Sequence, residues 1–169
     1  MKKIISFLGL AVILAFSFTS FIGCQGEVAT TTTSTTTTTI VPIDSLVGYW
    51  KSSWGDGFEI TNATPKIYSQ YDDATKTVSF AGEILNNFSF NKSGDNGFLT
   101  IKITNAGSWT KTVNQYFIIS WKNLAVNICK GSTPFKTGGK STCATQSEAE
   151  TEFTEANGYY GMYGEYTKQ

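Results

Sequence analysis

The chain of 169 residues contains no histidine and no arginine, since all 13 of its basic residues are lysines. Without histidine it lacks the side chain that most often acts as a general base near neutral pH or binds a transition metal. Without arginine it lacks the planar cation that holds phosphate or carboxylate through two parallel hydrogen bonds. Most serine hydrolases, cysteine proteases, zinc enzymes and phosphoryl-transfer enzymes are therefore disfavoured. We expect no enzymatic activity, no cofactor and no metal.

Charge is also scarce, at 15% of residues, and 13 acidic residues balance the 13 lysines. A net charge of zero removes the basic surface that nucleic acid requires, so we expect no nucleic-acid partner. Carboxylate pairs could still catalyse glycoside hydrolysis. The candidates are Asp56, Glu59, Asp72, Asp73 and Glu83. Most of them lie in or beside predicted turns, which favours surface roles over catalysis.

The N-terminus resembles a bacterial lipoprotein signal peptide. Met1-Lys2-Lys3 precedes an apolar stretch over Ile4–Phe18, and Gly23 then precedes Cys24 as in a lipobox, with Phe21 in place of the usual leucine. The resemblance implies cleavage after residue 23 and a lipid anchor on Cys24, which several acyl chains would make stable. An uncleaved transmembrane helix over residues 4–22 and ordinary secretion are the alternatives.

Residues 24–42 are dominated by threonine and contain little that could be buried, so we expect a disordered tether. The protein would then lie in the cell envelope, outside the cytoplasm and attached to a membrane through Cys24. Gln25 is not the aspartate that some bacteria use to retain lipoproteins at the inner membrane, which favours the outer membrane.

Residues 43–169 show the period-two alternation of half-buried strands. Apolar residues share one parity within Lys76–Phe90, within 99–103, within 113–121 and within 124–128, and glycine- and asparagine-rich turns separate these runs. Short turns between strands predict an all-β domain. We expect an antiparallel up-and-down barrel of about eight strands, with a β-sandwich as the alternative.

One segment departs from this alternation. Thr145–Ala156 has helical spacing, with Ser147 and Glu150 in capping-box relation and Asn157-Gly158 as the stop signal. We expect a helix of roughly ten residues before a last strand over Tyr159–Thr167. Its glutamates are interpreted as solvated surface charges.

Gly48-Tyr49-Trp50 at the start of the domain resembles the Gly-x-Trp motif of the lipocalin-like, or calycin, families. The resemblance implies that Trp50 plugs one end of the barrel and that Gly48 lets backbone pass closely beside it. In those families an arginine usually packs on the tryptophan. This chain has Lys168 near its C-terminus, and a lysine is not expected to stack equivalently.

The domain is rich in aromatic residues that could line a ligand cavity, and Trp54, Tyr68, Tyr71 and Tyr116 are the candidate binding residues. The alternative is that these rings simply fill the barrel. These two interpretations predict two different functions. One is binding of a small apolar or sugar-like ligand, and the other is a structural or interaction role for a filled barrel on the cell surface.

Two smaller features concern loops. Cys129 and Cys143 are expected to form a disulfide outside the cytoplasm, with free thiols as the alternative. Residues 91–97 faintly resemble the start of a calcium loop, but Lys102 stands where a bidentate glutamate would be needed. A hairpin turn is the better interpretation there.

Overall fold

A computed structural model describes residues 43–88 and 95–169, with residues 86–88 described for their backbone alone. The predicted signal peptide, Cys24 and the predicted tether lie outside the described residues. So does the first part of the calcium-like segment, residues 91–94.

The described chain forms a closed antiparallel barrel in which each strand pairs with the next and β1 pairs with β8. This confirms the predicted up-and-down barrel over the sandwich. The strands β1 to β8 span Gly48–Ser52, Gly57–Ile60, Ile67–Tyr71, Val78–Phe88, Gly97–Asn105, Tyr116–Lys122, Ile128–Ser132 and Gly164–Lys168.

The predicted alternation places the core correctly in β5 and β6. Leu99 and Ile101 of β5 pair with Ile119 and Phe117 of β6, and all four side chains are buried. The prediction of a strand over 124–128 is wrong: β7 begins only at Ile128, and Val126 is 85% exposed in the preceding loop. Alternation over five residues cannot by itself distinguish a strand from an extended loop.

The up-and-down order separates two sets of connections. The β1–β2, β3–β4, β5–β6 and β7–β8 connections lie at one end, here called the mouth, and the other three lie at the opposite end, here called the floor. A 3₁₀ helix, Ile43–Leu46, precedes β1 at the floor. Leu46 is buried, and its carbonyl accepts a hydrogen bond from Trp50 Nε1 at 2.9 Å. Trp50 and Leu46 therefore occlude the floor.

The single α-helix among the described residues, α1 at Gln146–Glu152, lies before the last strand, as predicted. Its N-cap is Thr145, whose hydroxyl accepts from Glu148 N, so the expected cap at Ser147 is wrong by two residues. Asn157 Nδ2 donates to the carbonyls of Thr151 and Glu152 and thereby ends the helix earlier than expected. No described helix is long and apolar enough to span a membrane.

The glutamates of this segment do more than face solvent. Glu150 accepts a hydrogen bond from Thr100 on the outer face of β5, at 2.8 Å. Glu155 pairs with Lys122 of β6 at 2.5 Å and also accepts from Tyr163. The Lys122 hydrogen bond is the main cause of the lowered pKa of Glu155. These contacts fasten the helical segment to the outside of β5 and β6, which is why Thr100 is buried although its side chain points away from the barrel interior.

The disulfide expected between Cys129 and Cys143 is absent, and both are buried free thiols. Cys129 lies beside the floor end of β6, because Lys130 pairs with Lys122. Cys143 instead pairs with Tyr116 at the mouth end of β6. Six residues of strand, about 20 Å, separate these two levels, whereas a disulfide needs Cα atoms within about 7 Å.

Candidate functional site

A cavity of about 490 Å³ runs through the barrel from Leu46 at the floor to the loops of the mouth. Its walls come from the inward side of the strands and from the segment before β8. The apolar wall consists of Leu46, Phe58, Leu99, Ile119 and Trp121. A volume of this size accommodates a small organic molecule.

Aromatic rings fill the part of the barrel interior that lies beside this cavity. Phe58 stacks on Trp50 with centroids 5.8 Å apart and on Tyr68 at 5.6 Å. Phe80 continues the stack, 5.7 Å from Tyr68, and meets Phe117 edge-on at 5.2 Å. The interpretation that rings fill the barrel therefore holds for this part of the interior, while the cavity lies beside these rings.

A chain of hydrogen bonds crosses the cavity wall from the mouth inward. Ser52 and Asp56 share the inward parity of Trp50 and Phe58, and β1 pairs Ser52 with Tyr166 of β8. The Asp56 carboxylate accepts from the Ser52 hydroxyl through Oδ1 and from Tyr166 Oη through Oδ2, the latter at 3.1 Å. The carboxylate is thus held in place on the cavity wall.

The same polar wall continues deeper on β3. Tyr68 Oη donates to Gln70 Oε1 at 2.5 Å, and both residues are buried and line the cavity. Burial is the main reason why the pKa of Tyr68 lies well above its usual value, and the negative charge of Asp56 raises that pKa further. Burial is likewise the main cause of the raised pKa of Tyr166, and the charge of Asp56 is the next largest cause. The two phenols therefore stay protonated and act as hydrogen-bond donors.

A second carboxylate, Asp72, fixes another part of the mouth, at the turn between β3 and β4. It accepts from Ser79 Oγ at 2.6 Å, from Trp109 Nε1 at 2.9 Å and from the Ser108 hydroxyl. Burial by itself raises the pKa of Asp72, but these three donors outweigh it and lower the pKa overall. Asp72 thus connects the β3–β4 turn to the β5–β6 loop and holds the Trp109 indole at the cavity rim.

The tight approach of these loops requires a glycine at position 107. Gly107 has a φ of 58°, and a Cβ there would lie 2.1 Å from the carbonyl oxygen of Ser79. Ser108 N and Trp109 N donate to the carbonyls of Val78 and Ser79 at 3.0 Å. The second Gly-x-Trp sequence of the chain is therefore a turn that positions a rim tryptophan.

Three large apolar side chains surround the mouth and remain in solvent. Trp54 is 92% exposed, Met162 83% and Phe135 74%, and all three line the cavity entrance. They come from the β1–β2 loop and from two parts of the β7–β8 connection. Grouped exposed apolar residues at a cavity entrance are typical of a contact surface and are uncommon on an inert face.

Three of the four predicted binding residues lie at this cavity. Trp54 and Tyr71 line its mouth and Tyr68 its interior. Tyr71 also faces outward, since its hydroxyl donates to Glu59 at 3.0 Å and its ring packs edge-on against Tyr49. Tyr116 is not among the lining residues; its backbone pairs with Cys143.

Sequence reasoning missed the polar wall of the cavity. Ser52 and Gln70 look like ordinary strand residues, and only their parity relative to Trp50 and Phe58 could have placed them inside. The structure shows both buried there.

The remaining carboxylate candidates lie away from the cavity. Glu59 pairs with Lys76 at 3.2 Å, and Asp73 accepts from Thr75 within the β3–β4 turn. Glu83 faces away from the inward set on β4 and does not line the cavity. Among the residues that the structure describes, no group of three or more histidine, cysteine, aspartate or glutamate side chains could hold a metal ion.

Comparisons with protein-family models, with curated proteins and with solved structures give no match to this chain. Its function must therefore be argued from the site itself.

Proposed function

We propose that this protein is a membrane-anchored binding protein of the cell envelope whose lipocalin-like barrel holds a small, largely apolar ligand. The observation that carries the proposal is the cavity of about 490 Å³, occluded at the floor by Leu46 and Trp50 and reached from the mouth. A barrel with a purely structural role would be expected to fill this space with side chains, because protein interiors normally pack to the density of organic crystals.

The lining supports binding in preference to catalysis. Apolar walls supply most of the contact area, and a few fixed polar groups, chiefly Ser52, Asp56 and Gln70, would orient the ligand. The tryptophan near the N-terminus of β1 and the single helix before the last strand also suit the lipocalin-like resemblance. A sugar-like ligand would use the same polar groups and the rim rings Trp54 and Trp109.

The position in the cell rests on the lipobox resemblance around Gly23-Cys24. Acylation at Cys24 would attach the protein to a membrane surface, outside the cytoplasm. The variant Cys24→Ser should lose acylation and accumulate as the full-length precursor, measured by the mass of the intact protein and by acyl-chain labelling. Normal processing and localisation of that variant would contradict the anchor.

A second candidate is an interaction role through the mouth. The exposed side chains of Trp54, Phe135 and Met162 favour it, because they would suit contact with another protein or a surface. The two candidates make different demands on the cavity: ligand binding needs it empty, whereas an interaction role does not.

A cavity-filling variant separates the two. Ile119→Trp adds an indole to the inner wall and should abolish binding of a neutral probe such as 2-(1-naphthyl)ethanol, while thermal unfolding shows that the barrel is retained. Trp54→Ala removes a rim side chain and should weaken an interaction role but leave the inner cavity open. If the wild-type protein binds no apolar or sugar probe of any charge, the ligand-binding proposal fails.

A further inference from the structure

Among the described residues that line the cavity, aromatic side chains and carboxylates are present and lysines are not. Asp56, Asp72 and Glu165 line it, and no lysine is found among the described residues that do. The chain as a whole has equal numbers of acidic and basic residues, so this lining is not a reflection of composition. A ligand inside would therefore experience a negative potential.

Asp56 is the carboxylate best placed to contact such a ligand. Its two oxygens each accept one hydrogen bond, from Ser52 and Tyr166, and a carboxylate has about four acceptor positions. Asp72 differs, because Ser79, Ser108 and Trp109 already donate to it. Asp56 thus has both a fixed position and unused acceptor capacity on the cavity wall.

No lysine neutralises Asp56 within the part of the chain that the structure describes. The four ion pairs there join Lys66 to Asp44, Lys76 to Glu59, Lys122 to Glu155 and Lys140 to Glu148. Two further lysines approach the mouth but bind elsewhere. Lys111 donates to the carbonyl of Ser141 and lies 4.0 Å from the Phe117 ring, and Lys136 lies 5.6 Å from the Tyr159 ring.

Rings of the cavity are close to this carboxylate. Tyr166 donates to Asp56 and packs edge-on against Phe58 at 5.2 Å, and Trp54 lies on the same loop as Asp56. A carboxylate beside aromatic faces is the combination that recognises an organic ammonium group, through a charge-assisted hydrogen bond and cation–π attraction. Anionic ligands such as fatty acids would be repelled by the same arrangement.

From this geometry we infer that the ligand is an organic cation: a primary or secondary ammonium group held by Asp56, with an apolar body against Leu99, Ile119 and Trp121. The inference rests on the proposed function, since it specifies the ligand class of the same cavity. It excludes an acidic lipid as the main ligand.

Three matched probes test the charge alone. 2-(1-Naphthyl)ethylamine is a cation at pH 7, 2-(1-naphthyl)ethanol is neutral and 1-naphthylacetate is an anion, and all three carry the same ring. Binding to the full-length protein in zwitterionic phospholipid nanodiscs is measured by calorimetry, with empty nanodiscs as the blank. We expect the amine to bind at least tenfold more tightly than the alcohol, and the anion to bind most weakly.

Substitutions then locate the preference. Asp56→Asn should reduce amine affinity at least tenfold and leave alcohol affinity within threefold, whereas Asp44→Asn, the same charge change at the floor, should alter neither. Met162→Lys places a cation at a rim position that is 83% exposed, and it should weaken binding of the amine selectively even if Asp56→Asn does not fold.

The failures of the two proposals are distinguishable. Equal binding of amine and alcohol, or preference for the anion, overturns the cation inference and leaves the binding proposal standing. An amine preference that survives both Asp56→Asn and Met162→Lys also overturns it. No binding of any of the three probes contradicts the proposed function and the inference together.

Discussion

Lys168 lies over Trp50: its Nζ is 5.3 Å from the centroid of the indole ring, and the two residues are directly paired between β8 and β1. Gly48 makes room for this arrangement, since a Cβ there would lie 3.0 Å from Lys168 Cε. The lysine ammonium cannot stack on the indole as a planar guanidinium does, but it still lies over the face of the ring. Lysine therefore covers the tryptophan of the floor in a chain that has no arginine.

Replacing Lys168 tests how much this contact stabilises the floor. Because Trp50 is buried and Lys168 is half-buried, Lys168→Ala should lower the free energy of unfolding by about 1 kcal/mol, between the values for exposed and desolvated cation–π contacts. Lys168→Arg should retain the contact. Urea unfolding measures the difference. Lys51→Ala, one residue from Trp50 with its side chain on the opposite face of β1, is the control. An equal loss in both alanine variants would contradict a specific contact.

The strand pattern predicted the fold well because a barrel interior enforces strict alternation. Leu99, Ile101 and Ile103 all point inward as their parity indicates, and a one-residue error would have exposed them. The pattern failed at 124–127, where the chain bends, Ala125 N donates to the carbonyl of Ile128, and the strand β7 begins only at Ile128. Pairing depends on the partner strand, which a short window of sequence does not contain.

The cavity was predicted less completely than the fold. Large aromatic residues such as Tyr68 are easily noticed as candidates, and the structure places Tyr68 on the cavity wall. The role of Asp56 depends on Tyr166, which lies 110 residues away along the chain. Only closure of β1 against β8 brings them together, so no local motif could reveal the pair.

Asp72 should make the stability of the mouth depend on acid pH. Its pKa in the folded protein is lower than the ordinary 3.8 because Ser108, Ser79 and Trp109 donate to the ionised form, outweighing the opposing effect of burial. The contribution is therefore present above about pH 3.8 and is lost as the pH falls through the lower folded value. Asp72→Asn should reduce the urea midpoint more at pH 7 than at pH 3.

Tryptophan fluorescence provides a local readout of the same change, since Trp109 loses a carboxylate partner at the rim. Asp44→Asn serves as the control for a change of charge far from the mouth. If Asp72→Asn lowers stability equally at pH 3 and pH 7, the ionised carboxylate is not what holds the loops together.

Lys111 should oppose folding at neutral pH. Burial lowers its pKa from 10.5 to about 8, and its described neighbours are the Phe117 and Trp109 rings and the Ser141 carbonyl. Between pH 8 and 10.5 the unfolded chain binds more protons at this site than the folded chain, so this group makes stability rise with pH across that window. Below pH 8 the amine is protonated in both states, and the full free-energy cost of burying its charge opposes folding.

Lys111→Met keeps the apolar contact and removes the charge. It should raise the free energy of unfolding at pH 7 by about 1 kcal/mol, after allowance for solvent screening of a partly exposed amine. It should also remove part of the rise between pH 8 and 10.5, measured by denaturant unfolding at several pH values. Lys51→Met is the control, and a loss of stability in Lys111→Met would contradict the prediction.

The two domain cysteines should resist alkylation in the folded protein. Burial raises the pKa of Cys129 to about 12, and burial is likewise the main cause of the raised pKa of Cys143. Because the thiolate is the reactive form, both should react with iodoacetamide at pH 8 only after unfolding. Intact mass of the denatured protein, without any reductant, should show both thiols modified.

Single variants assign the order of reaction. Cys143 has its backbone in an isolated bridge to Tyr116, whereas Cys129 lies within β7 between two paired strands. Local opening of a single bridge requires less free energy than opening a barrel strand. Cys143, which remains in Cys129→Ser, should therefore react at a lower urea concentration than Cys129, which remains in Cys143→Ser. Denatured wild-type protein that remains unmodified until reductant is added would instead establish a disulfide and contradict the free thiols of the structure.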